Sequence, residues 1–84
     1  MDNKDIKVRV FDMTHGLVEY NDIKSIRLVS KDYNLLIMKD YLSIIGEIVG
    51  NVDIIGENTN ISFKQIKGFY MNSNNVFNLM IEEW

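Results

Sequence analysis

The sequence predicts an all-β fold, a sandwich or small barrel of about eight or nine short strands. Apolar and polar residues alternate with period two in segment after segment, as on half-buried strands. Turn signals separate these segments at a spacing of about 8–12 residues. The 84 residues include four Phe and four Tyr, no proline and no alanine, and Ile and Val are abundant. Side chains that pack well on a pleated surface thus replace the best helix former.

Taken in order, Ile6-Lys7-Val8-Arg9-Val10 alternates strictly and reads as the first strand. Thr14-His15-Gly16 reads as a turn and Leu17 to Tyr20 as a short strand, ended by a second turn signal at Asn21-Asp22. Ile26-Arg27-Leu28 alternates again, before a polar loop from Ser30 to Asn34. Leu35 to Met38 is a short apolar run, read as a buried strand that Lys39-Asp40 ends. In Tyr41 to Ile48 the residues Leu42, Ile45 and Ile48 have near-helical spacing, but β-branching and Gly46 favour short extended pieces. Gly50-Asn51 reads as a break before the strand Val52-Asp53-Ile54, and Gly56-Glu57-Asn58 as a turn. Ile61-Ser62-Phe63, continued towards Ile66, is the next strand, and Gly68 reads as a reset. Phe69 and Met71 share one face, Asn72-Ser73-Asn74-Asn75 is a hairpin turn, and Phe77, Leu79 and Ile81 form the last inward face.

This length suits a single domain spanning residues 1–84. A net charge of −3 with two arginines, Arg9 and Arg27, argues against nucleic acid, which needs clustered cations. There is no cysteine, and the apolar run at Leu35–Met38 is far too short to insert in a membrane. The polar start, Met1-Asp2-Asn3-Lys4-Asp5, does not read as a signal peptide, so a cytoplasmic protein is expected. No catalytic constellation emerges. His15 is the sole histidine and sits in a turn; Ser25, His15 and Asp22 lack any context for a triad; Glu82-Glu83 reads as a solvated strand end. No metal-ligand spacing and no glycine-rich phosphate loop is present, so no cofactor is expected. Binding remains. Phe11, Val29 and Met80 do not fit the inward faces and suit a protein partner. An alternative is an OB-like module stacking bases or a ligand on Tyr33, Tyr41 or Phe69, and a third is a β-sandwich adaptor for an unrelated protein.

Three stretches carry a resemblance. Val8-Arg9-Val10-Phe11-Asp12-Met13-Thr14-His15-Gly16-Leu17-Val18, then Ile23-Lys24-Ser25-Ile26-Arg27-Leu28, and finally Ile66 to Met71 with Asn74 to Glu83, follow one another in the order and spacing of a known domain. Together they resemble the N-terminal domain of the epsilon subunit of F-type ATP synthase, called delta in mitochondria. The likeness runs from Ile6 to Glu83. It departs between Asp32 and Leu42, where the family's two prolines are missing and Asp40 replaces its histidine. The chain also ends at Trp84, before the family's C-terminal helical hairpin, so inhibition and ATP binding by that hairpin are not implied.

The resemblance implies a flattened β-sandwich of two sheets, built from about eight to ten short, mostly antiparallel strands. It implies a structural, non-catalytic subunit of the central stalk of an F1-type rotary ATPase, peripheral to the membrane as part of the complex, or in the mitochondrial matrix if eukaryotic. The implied partner is the foot of a gamma-like subunit and, through it, alpha- and beta-like subunits, with Asp12, Asp40 and Ile45 facing gamma. It also implies contact of the Ser30–Asn34 loop, with Asp32 and Tyr33, with a membrane rotor ring.

Overall fold

The computed structural model describes residues 5–84, and the reading of the polar N-terminus falls largely on residues 1–4, outside the described residues. Six strands follow in order: β1 (Ile6–Asp12), β2 (Gly16–Ser30), β3 (Asn34–Met38), β4 (Ile44–Gly56), β5 (Asn60–Ser73) and β6 (Val76–Glu83). The all-β expectation agrees with this, but the two-sheet sandwich of eight to ten strands does not. Five strands close into a barrel in the order β1-β2-β4-β5-β6, and β3 lies outside the ring on β2. Neighbours alternate in direction around the ring. Five is an odd number, so one contact must be parallel, and it is the closing pair β1–β6.

The strand count falls because several apparent turns lie inside long strands, at bulges or opposite them. Between Tyr20 and Ile23, β2 carries an extra residue relative to β1, and Asp22 there has φ 59°. A second slip against β4 lies between Ile23 and Ser25. The inward-facing residues of β2 accordingly change phase, from Ile23 to Ile26 and Leu28. In β5 three steps from Phe63 to Ile66 oppose two steps of β4 from Val52 to Gly50. The extra residue is Gln65, at φ 57°, whose N–H donates to Asn51 Oδ1 at 2.9 Å. A bulge bends its strand and increases the local twist, which lets long strands curve around a small barrel. Asn21-Asp22 therefore interrupts the alternation without ending a strand, whereas Gly50-Asn51 lies opposite the β5 bulge in an unbroken β4, whose Ile48, Val52 and Ile54 all face inward. Gly68 also lies within β5, and it is glycine there because a side chain would run into the carbonyl oxygen of Met80 on β6.

The true turns match their chemistry. Asn74 and Asn75 both have positive φ, 50° and 62°, as a two-residue type I′ hairpin requires. Inside the barrel, β1 contributes Ile6, Val8 and Val10, β4 contributes Ile48, Val52 and Ile54, and β6 contributes Phe77, Leu79 and Ile81. Ile37 of β3 is also fully buried, so the strand outside the ring still covers part of the core.

The left-handed conformation at Gln65 costs a residue with a side chain about 1–2 kcal/mol, part of which glycine's greater chain entropy offsets. Gln65→Gly is expected to stabilise the fold by up to about 1 kcal/mol, whereas Lys64→Gly, one residue earlier in ordinary strand, should cost about 0.5–1 kcal/mol. Urea unfolding of the two variants checks this opposition of sign.

Candidate functional site

On the outward face of the barrel, the strand registers align side chains from five strands into two rows. One row runs Leu17, Phe11, Met80, Phe69, Glu47, from β2 through β1, β6 and β5 to β4. The next runs Glu19, Arg9, Asn78, Met71, Ile45 over the same strands. The apolar members form a diagonal stripe, from Leu17 and Phe11 at one end to Met71 and Ile45 at the other. Between the rows lies an open groove of about 390 Å³, with Tyr70 and Leu79 reaching it from the core. Ile45 is 76% exposed and Met80 52%. Six large apolar side chains, Leu17, Phe11, Met80, Phe69, Met71 and Ile45, thus stand exposed side by side. Another part of the outer surface is polar by contrast. There Arg27, Asp53 and Ser62 lie in register, and Ser62 Oγ donates to Asp53 Oδ1 at 2.6 Å.

The groove holds one cation. Arg9 Nε lies 3.2 Å from Glu19 Oε2, an ion pair that lacks hydrogen-bond alignment. Both side chains are about two-fifths exposed, so solvent screens the pair and it contributes little to stability.

The groove floor is set by Tyr70. Its ring stacks on Phe77, with centroids 5.8 Å apart, and it lies across Gly46, where any β-carbon would collide with it. The Tyr33 hydroxyl sits 3.3 Å from the Tyr70 hydroxyl and donates to the Glu47 carbonyl at 2.6 Å. Burial, reinforced by the Tyr70 contact, pushes the Tyr33 phenol well above its ordinary range. The loop before β3 is thus pinned to β4 by its own tyrosine. Asp32 remains exposed at the loop tip, with its N–H bound to Ser30 Oγ.

The three residues expected to face gamma are not brought together. Ile45 stands in the groove. Asp12 is buried at the C-terminal end of β1, where its Oδ1 accepts the N–H groups of Thr14 at 2.8 Å and His15 at 2.7 Å. His15 Nδ1 lies 3.0 Å from its other oxygen. Asp40 belongs to the opposite end of the molecule. It exchanges two hydrogen bonds with the side chain of Asn75, beside the start of β1, at 2.7 and 3.0 Å. Both carboxylates thus serve turns. Phe11 and Met80 lie in the groove as their out-of-phase positions suggested, while Val29 is half-buried on β2, away from it. Sequence reasoning passed over Leu17, Met71 and Arg9. The available signal was that β1, β5 and β6 carry apolar residues in both phases.

No helix among the described residues is long and apolar enough to cross a membrane, and no group of three or more potential metal ligands converges there. His15 contacts Asp12 and the edge of Trp84, so it does not join Ser25 or Asp22 in a triad. Of the aromatics suited to base stacking, Tyr33 and Tyr41 pack against the core and Phe69 lies in the groove.

No protein-family model and no curated protein sequence matches the chain. Among solved structures, it superposes on a chain from the cryo-EM structure of the Tetrahymena thermophila mitochondrial ATP synthase central stalk and c-ring. The TM-score is 0.75 over 99% of this chain and 67% of that one, at 11% identity. The two share a fold.

The backbone hydrogen bond from His15, with further bonds from the His15 side chain and the Thr14 N–H, holds the Asp12 carboxyl below its ordinary value of 3.8. A depressed carboxyl stabilises the fold above its unfolded pKa and loses that contribution as pH falls through the folded value. Asp12→Asn should therefore lower the urea midpoint at pH 7, and the gap from the parent chain should shrink steadily below pH 3.8. A gap of equal size at pH 7 and pH 2.5 would contradict this role.

Proposed function

We propose that this chain is a non-catalytic subunit of the central stalk of a rotary F1-type ATPase, binding the foot of a gamma-like subunit. The observation that carries the reading is the superposition of nearly the whole chain on a chain from an ATP synthase stalk and ring structure. The order of the epsilon-like motifs along the sequence supports it independently of the coordinates. The exposed apolar stripe adds a physical reason for a permanent partner, because such a surface costs solubility when left in water.

In this reading Ile45 and the groove around it meet the gamma-like subunit, with Asp12 and Asp40 holding the turns at the two ends of β1. Asp32, on the loop that Tyr33 anchors, faces the membrane rotor ring. The chain is peripheral to the membrane through its complex and performs no ATP chemistry itself.

The closed barrel also accommodates the small-barrel alternative. However, its ring strands follow one another in chain order, unlike the Greek-key connections of an OB-fold. The net charge of −3 gives phosphates little to bind.

Affinity purification of the tagged chain from its own cells, followed by mass spectrometry, tests the proposal. Alpha-, beta- and gamma-like subunits should be recovered in one stable complex. Recovery of the chain alone, from lysate that holds an intact F1-type complex, would overturn it.

A further inference from the structure

The chemistry of the groove specifies its occupant more narrowly than a stalk role does. The stripe from Leu17 to Ile45 crosses five strands, a span of roughly 20 Å, about four turns of an α-helix. Strand spacing and helical pitch are close, about 4.8 and 5.4 Å, so successive turns of a helix laid along the stripe meet successive strands. The charges flank the stripe on opposite sides. Arg9 lies beside its β1 end and Glu47 beside its β4 end. The Arg9 guanidinium lines the groove. Its pairing with Glu19 is misaligned.

We infer that the groove receives an amphipathic α-helix of another protein, carrying a carboxylate that pairs with Arg9. The helix presents an apolar stripe to Phe11, Phe69, Met71 and Met80. A basic residue roughly three turns from its carboxylate, on the opposite flank, meets Glu47. A planar guanidinium can grip a carboxylate through two parallel hydrogen bonds, and an apolar surround removes the water that would otherwise screen the pair. A second copy of this chain is a poorer occupant. A two-fold contact sets the same patch against itself, so groove meets groove and neither is filled.

The inference concerns the mode of docking and stands apart from the identity of the partner. It is tested by placing photoreactive benzoylphenylalanine at Met71 in the full tagged chain, and at Ser62 on the polar face as control. The proteins are irradiated in lysate of the source cells, and the crosslinked peptides are sequenced by mass spectrometry. The Met71 probe should capture a helix with an apolar stripe and an acidic flank, while the Ser62 probe should not. Arg9→Glu should reduce the yield at least tenfold, and exchanging the helix's acid for arginine should restore it. Arg9→Gln gives a neutral comparison, and circular dichroism confirms that both variants keep their fold.

Crosslinking to a second copy, a lipid or a β-strand overturns the inference, as does a yield indifferent to Arg9→Glu or no crosslink at Met71. If the captured helix belongs to a protein foreign to rotary ATPases, the docking mode holds and the stalk proposal falls. If a gamma-like subunit is captured only through Ser62, the stalk proposal holds and the docking mode falls.

Discussion

Barrel closure depends on a geometric constraint. Long strands must bend, and they must do so while keeping their inward side chains inward. The extra residues in β2 and β5 meet both requirements, since each bulge turns the strand and shifts its alternation by one position. Without the shift at Gln65, either Phe63 or Ile66 would point to solvent. Both are buried because the bulge intervenes, and the hydrogen bond from its N–H to Asn51 holds it against β4. The parallel β1–β6 contact then completes the ring.

Closure also creates the exposed apolar stripe. Once β1, β2 and β6 are joined, residues that are out of phase with the core in separate stretches of sequence fall into register. Phe11 stands between Leu17 and Met80, and Met80 stands beside Phe69. No single strand carries the surface, which exists only when the barrel is shut. Tyr70 couples the two levels. It belongs to the core through Phe77, supports the groove from below, and meets Tyr33 at the loop before β3. Fold, groove and loop are therefore held by one packed aromatic contact chain.

Much of this was legible in the sequence, and the exceptions share a cause. The period-two signal locates the core of β1 and β6, and the hairpin turn expected at Asn72-Ser73-Asn74-Asn75 narrows to Asn74-Asn75, with Asn72 and Ser73 still paired in β5. The expected strand count exceeds the observed one because Asn21-Asp22 suits left-handed backbone equally well in a turn and in a bulge, and Gly50-Asn51 lies opposite a bulge on β5. Only the paired strand distinguishes turn from bulge. The resemblance to an epsilon-type domain anticipated the shared fold with an ATP synthase stalk and ring component, although not the closed ring. Ile45 could be picked out singly, but its grouping with Phe11, Met71 and Met80 depends on register between distant strands. Asp12 and Asp40 stand out as isolated acids in sequence, and the turn hydrogen bonds that occupy them appear only in three dimensions.

The central claim is that the apolar stripe is the covered face of this molecule. Methionine footprinting tests it most directly, because Met71 and Met80 lie in the groove while Met38 is exposed on β3, outside the ring. Brief peroxide oxidation, quantified by mass spectrometry, would be compared between the free chain and the assembly isolated through its tag. The account predicts that assembly protects Met71 and Met80 strongly and leaves Met38 as reactive as in the free chain. Protection of Met38 alone, with Met71 and Met80 oxidised as before, would contradict it.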